Sequence, residues 1–189
     1  LTRILVREQL MIAPPEQVCQ GGHVGGLAGA CCRKDVETAR ALIAAGEDLA
    51  QLDADNFNAA LHWAAWNGTH ELVEELLQHG APLRQPNAEG LQAVHLSVRN
   101  GPLSTLAALW RYEPDIIHAT DSEGGTPVHH AANCGVLHVL EWLYLRGASV
   151  NASDTYGLTP LHCAVMAGKQ QSAQLLVRRR ADPLAVDKK

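Results

Sequence analysis

Four histidines, His62, His95, His129 and His162, follow one another at steps of 33, 34 and 33 residues. A row of imidazoles is raw material for a metal centre or an acid–base relay. His130 and Cys134 stand four apart, a spacing at which a helix can offer a nitrogen and a sulfur to one ion. Cys31-Cys32 could supply a reactive thiol. None of these groupings completes a site. If the four histidines sit on successive packed helices, they are about 10 Å apart, whereas zinc needs each ligand within about 2.3 Å of a single centre. The His130–Cys134 pair lacks a third ligand, because Gly135 ends the helix before His138 could join it. No nucleophile elbow, phosphate-binding loop or paired-carboxylate motif is present. The expectation is a chain that is not an enzyme and binds no cofactor or metal.

What positions the histidines is a repeat. Gly68, Gly101, Gly135 and Gly168 keep the same three steps, and the strings LHWAAWNG, VHLSVRNG, VHHAANCG and LHCAVMAG align around them. Each unit opens on a polar turn, such as Asp121-Ser122-Glu123-Gly124 or Asp154-Thr155-Tyr156-Gly157. A helix then starts at Thr126-Pro127 or Thr159-Pro160, with threonine as cap and proline where its missing N–H costs nothing. The glycine six residues after each histidine is expected to end that helix in a left-handed conformation. A second helix follows, as in Glu71–Gln78, whose Leu72, Val73, Leu76 and Leu77 share one face. Gly80 and Gly147 stop these second helices; Arg180 takes that place in the last unit, predicting a frayed or differently ended helix. Pro114 requires the second helix of the third unit to stop before it.

Bulk properties narrow the possibilities further. The 189 residues are 47% hydrophobic and 19% charged, with a net charge of −5. That composition buries a core and gives no basic surface for nucleic acid or anionic membrane. Arg178-Arg179-Arg180 is placed to complement a helix dipole. Five cysteines without C-x-x-C spacing suggest reduced thiols, and so a cytoplasmic location with the nucleus as alternative. No apolar stretch reaches about 18 residues. A chain opening on Leu1, and a closing Asp187-Lys188-Lys189 that reads as the start of another unit, predict a piece of something longer.

These strings resemble the ankyrin repeat, with its D-x-x-G-x-T-P-L-H-x-A-A-x-x-G core and an outer helix ending L-L-x-x-G-A. The likeness is closest over 121–168 and looser over 54–120, where Ala59-Ala60 and Gln92-Ala93 replace Thr-Pro. The resemblance implies an all-α solenoid of stacked helix-turn-helix units with projecting β-turn or hairpin tips. Its units would be 20–53, 54–86, 87–120, 121–153 and 154–186, with a further one opening at 187. Residues 1–19 are expected to be an N-terminal extension whose Ile4, Leu5, Leu10, Met11 and Ile12 could make a helix that caps the first unit or, alternatively, pairs with another chain.

By the same resemblance, the turn tips and the solvent side of the first helices form a concave surface for a partner protein or peptide. The tip positions are Asp55, Asn56 and Asn58, then Glu89 and Leu91, then Ser122 and Glu123, then Tyr156 and Leu158. The first-helix positions are Trp66 and Asn67, Arg99 and Asn100, Asn133 and Cys134, Met166 and Ala167. Trp66, Arg99, Tyr156 and Met166 stand out, being of types that anchor interfaces or lacking a structural reason to be there. The expected protein is a monomeric interaction module with neither nucleic acid nor membrane as partner. The alternative implied by LHWAA after an acidic turn is the regulatory or substrate-recruiting arm of a palmitoyltransferase-like or kinase-like enzyme, with the catalytic part outside this chain.

Overall fold

A computed structural model describes residues 25–54 and 57–188. The expected capping segment 1–19 lies outside the described residues, as do Asp55 and Asn56. Among the described residues, ten α-helices form five antiparallel pairs: α1 Gly26–Cys32 with α2 Val36–Ala44, α3 Ala60–Asn67 with α4 His70–Gln78, α5 Ala93–Asn100 with α6 Leu103–Tyr112, α7 Pro127–Cys134 with α8 Leu137–Leu145, and α9 Pro160–Met166 with α10 Gln170–Arg178. The described residues contain no β-strand. The odd-numbered helices stack on one another in chain order to make an inner row, and α2, α4 and α6 make an outer row that α8 and α10 continue. This is the all-α stack that the repeat predicts.

Each pair forms because neither helix can hide its apolar stripe alone. Leu72, Val73, Leu76 and Leu77 on α4 are each at most 1% exposed, and Leu61, Ala64 and Ala65 on α3 meet them from the inner row. Small residues let the inner row pack closely, so the alanine-rich composition is a packing requirement. Outside, Trp142 meets Trp110 edge-to-face at 5.8 Å, and the Arg146 guanidinium lies 3.8 Å over the Trp142 ring. Ion pairs Arg40–Glu75, Arg111–Glu74 and Arg179–Glu141 cross between outer helices. Such exposed pairs contribute only about 0.2–1 kcal/mol each.

The histidine row is a set of junction pins. On His62, His95, His129 and His162, Nδ1 accepts the backbone N–H three residues earlier, at 3.0–3.1 Å, and so caps the inner helix. Nδ1 is therefore the unprotonated nitrogen, and Nε2 carries the hydrogen. That N–H donates to Leu91 O from His62, to Ala119 O from His95 and to Leu158 O from His129, at 3.0–3.2 Å. The bonds from His62 and His129 tie one unit to the next, and that from His95 holds the segment that closes its own unit just before the next tip.

Three local expectations are revised. Gly101 is not left-handed: its φ is −77°. Glycine is needed there for room, since a Cβ would sit 2.7 Å from Ala65 O and 2.8 Å from Ser97 O. Arg180 does not fray its helix; it takes φ 66° itself, and Ala181 N–H still closes onto Leu176 O at 2.9 Å. Asn151 holds this end by donating to Arg180 O and accepting from Asp182 N–H. Finally, Cys32 is disulfide-bonded, while Cys31, Cys134 and Cys163 are free thiols. The expectation of uniformly reduced cysteines does not hold at Cys32.

A fourth departure concerns Phe57, which occupies the turn position held by Gly90, Gly124 and Gly157 in later units. Those glycines have φ of 73–80°; Phe57 adopts 53° with its ring half exposed. A left-handed side chain costs about 1–2 kcal/mol. Phe57→Gly is therefore expected to raise the melting temperature by about 2–4 °C after the greater freedom of unfolded glycine is deducted. A lowered melting temperature in thermal denaturation would show that the ring is held by packing.

Candidate partner-binding face

The tips are built by one acidic or amide side chain per unit. Asp121 Oδ1 accepts the N–H groups of Glu123 and Gly125 at 2.9 and 2.8 Å. Asn87 does the same for Glu89 and Leu91, and Asp154 for Tyr156 and Leu158. These bonds fold the chain into a turn that projects residue i+2 outward and tucks residue i+4 inward. Adjacent tips are linked by Thr155 N–H to Glu123 O at 2.9 Å and by Ser122 Oγ–H to Glu89 O at 2.8 Å.

The second carboxylate oxygen braces the tip against its helix. Asp121 Oδ2 accepts from His130 Nε2 at 2.8 Å, and Asp53 Oδ2 accepts from Trp63 Nε1 at 2.7 Å. Burial works to raise the Asp121 carboxyl, but the hydrogen bond and charge of His130, with the Gly125 and Glu123 N–H groups, hold it at about 2. The His130 ring meets His95 edge-on at 5.1 Å. His130 is thus occupied as a brace.

The same bracing accounts for the thiols. Burial pushes Cys163 and Cys31 up to about 12 and raises Cys134 against the pull of Arg99. All three are neutral thiols at physiological pH, unsuited to nucleophilic attack. Among the described residues, no group of three or more His, Cys, Asp or Glu side chains converges where a metal ion could sit.

The tips and inner helices of the last three units enclose a cleft of about 470 Å³. It brings together Glu89, Arg99, Glu123, Asn133 and Tyr156, over a floor that includes Leu91 and Leu158. Tyr156 is 50% exposed at its rim. Arg99 leans across the mouth, its guanidinium 6.0 Å over the Trp66 ring.

The other expected positions are placed differently. Asn58, Leu91 and Leu158 are buried at 1%, 3% and 7% exposure, because they are the inward-tucked residues of their turns. Trp66 is 9% exposed and belongs to the core, so it supports Arg99 more than it meets solvent. Asn67 donates to Cys31 O and Cys32 O, and Asn100 to Trp66 O, stitching each unit to the one before. Met166 faces away from the cleft, in a groove beside Val165 and Val177 at the last pair.

Sequence reading missed the Trp63–Asp53 and His130–Asp121 braces. Their signal is present: in each, the residue just after the junction histidine faces the acid nine or ten positions upstream.

With the geometry in view, comparison with known proteins names the class. The ankyrin repeats (3 copies) family matches residues 27–118 and 108–187, and the chain belongs to the ankyrin-repeat family. It is 32% identical over 164 residues to palmitoyltransferase AKR1 of Lachancea kluyveri, covering 85% of this chain and 22% of that one. It is 34% identical over 143 residues to the nuclear factor NF-kappa-B p105 subunit of Mus musculus, covering 74% and 15%. With the B-cell lymphoma 3 protein homolog of Mus musculus it shares 30% over 147 residues, covering 76% and 33%. The chain thus spans a third or less of the length of these relatives.

Proposed function

We propose that this chain is a protein-interaction module that holds a partner segment across its concave side. One observation carries the reading: the cleft gathers polar and aromatic side chains from three separate units on one side of the stack. Glu89, Glu123 and Tyr156 project from tips already closed by backbone bonds, and Arg99 rests on a tryptophan. Tyrosine and arginine in such positions are types that dominate interface energetics. Asn133 adds an amide between them. The partner is a protein or peptide, met by a monomeric scaffold. We place the module in the cytoplasm or nucleus; the free thiols at Cys31, Cys134 and Cys163 suit a reducing compartment, and the Cys32 disulfide does not. No described helix is long and apolar enough to cross a membrane.

A photoreactive residue at Glu123 or Tyr156 tests the reading in cell extract, against one at Leu145, which is 68% exposed on the outer row. Adducts with a defined protein should form from the first two positions only. Adducts confined to Leu145 would move the site to the convex side.

The likeness to a palmitoyltransferase supports a second reading, in which this array is the regulatory or substrate-recruiting arm of a larger enzyme. Palmitoyl transfer in cells that depends on Arg99 and Tyr156 would favour it. The two readings share one binding face and differ in what the captured partner undergoes.

A further inference from the structure

Arg99 is a half-buried cation without a counter-charge. Arg40, Arg84, Arg111 and Arg179 each pair with a glutamate of a neighbouring unit. Among the described residues, no carboxylate pairs with Arg99. Arg146, Arg178 and Arg180 also lack one, but they stand exposed to water. Inside the chain, Arg99 meets the Trp66 ring, 6.0 Å from its guanidinium carbon, and the Cys134 thiol. An indole face and a neutral thiol are weak partners for a guanidinium, whose five N–H donors form a fixed fork. Trp66 belongs to the core, so the fork rests on a held base.

The surroundings narrow what that fork can take. Among the described residues that line the cleft, Arg99 is the one Lys or Arg, set among Glu89, Asp121, Glu123 and Asp154. Asp121 is engaged by His130 and by its own turn, and Asp154 by its own turn. A phosphate carries nearly two charges and calls for a cluster of arginines; here it would meet one arginine and several carboxylates. A single carboxylate matches the fork through two parallel bonds. A second acidic side chain beside it would be repelled by Glu89 and Glu123.

We propose that Arg99 selects the partner by charge: the bound segment carries one aspartate or glutamate whose carboxylate takes the guanidinium fork, with neutral or basic residues on either side. Trp66 is the positioning residue that holds the fork toward the cleft. This inference rests on the concave face as the binding site and adds the charge pattern that the face reads.

The probe is a phage-displayed library of random peptides of about 12 residues, long enough in extended form to cross three units, selected on the whole chain. Recovered peptides should share one Asp or Glu. Changing it to Asn or Gln in the synthetic peptide should weaken binding by about 10-fold or more. Arg99→Gln, folded as judged by circular dichroism, should cause a similar loss, and the two changes together should lose no more than either alone. Arg99→Lys keeps the charge without the fork and should still bind more weakly than the native chain. In Arg99→Glu, a peptide with Lys at the shared position should outbind the acidic one. Peptides that weaken in Tyr156→Ala but not in Arg99→Gln leave the concave face standing and overturn the carboxylate assignment. Peptides indifferent to both changes, or none recovered, overturn both. Phosphoserine at the shared position binding more than about 10-fold tighter than the carboxylate overturns the assignment as well, because the fork would then serve a phosphate.

Discussion

Acidification from pH 7 to pH 4 should unfold this array well before ordinary carboxylate titration would. His62, His95 and His129 are buried with Nδ1 accepting a backbone N–H, an arrangement that only the neutral ring allows. Burial lowers all three, and it holds His95 at about 3 with help from the neighbouring His130. In the unfolded chain these rings titrate near 6.5. Below that pH the unfolded chain takes up protons that the native one refuses, so stability is whole above about 6.5 and falls as pH drops. For His95 the loss is complete only near 3, and it amounts to roughly 3–5 kcal/mol. Asp121, held at about 2, adds a loss of the same sign between the ordinary carboxylate range and that value. Against a total of about 5–15 kcal/mol for a typical domain, these contributions decide the outcome. Urea titrations followed by circular dichroism at pH 7, 5.5 and 4.5 should show a falling midpoint. A midpoint constant over that range would contradict the neutral-histidine junctions.

Trp63→Ala should be the most damaging single substitution among those considered. The ring is 1% exposed, and its Nε1–H donates to the buried Asp53 carboxylate at 2.7 Å. Truncation leaves a large cavity, costing about 3–5 kcal/mol, and it removes a donor from a carboxylate that is itself only 8% exposed. For a chain of this size the melting temperature should drop by about 10 °C or more. Trp63→Phe keeps most of the volume and loses the bond, so its smaller drop measures the brace alone, at about 1.5–3 kcal/mol. Equal losses in the two variants would mean that the hydrogen bond, and not the volume, sets the stability of that tip. A loss under about 1 kcal/mol in Trp63→Ala would contradict the packing described for the first full unit.

The stack was legible in the sequence because its period rests on residues that each do one physical job. Histidine caps and pins, small residues admit the neighbouring inner helix, and leucines at helical spacing seal the pair. The face was only partly legible. Family resemblance assigns positions to a surface, but whether a side chain at such a position points outward depends on the turn. Leu91 and Leu158 turn in because they follow the tight tip closed by Asn87 and Asp154, while Tyr156, two residues earlier than Leu158, turns out. Trp66 lies under Arg99 because adjacent inner helices offset by one unit, which spacing along the chain does not show. The first tip hid a further irregularity. Asp53 closes onto Asn58, five residues on, where the later tips close over four, and Phe57 takes the left-handed position within it. No glycine signals that turn.

The concave face is tested most directly by affinity. With the protein captured through Glu123 or Tyr156 in hand, its dissociation constant should be measured for the native chain, for Arg99→Glu with Tyr156→Ala, and for Leu145→Ala. The double change should weaken binding by about 30-fold or more, corresponding to about 2 kcal/mol, and the outer-row change should leave it within about twofold. Undiminished affinity in the double variant, folded as judged by circular dichroism, would contradict the assignment of that cleft as the site where the partner is held.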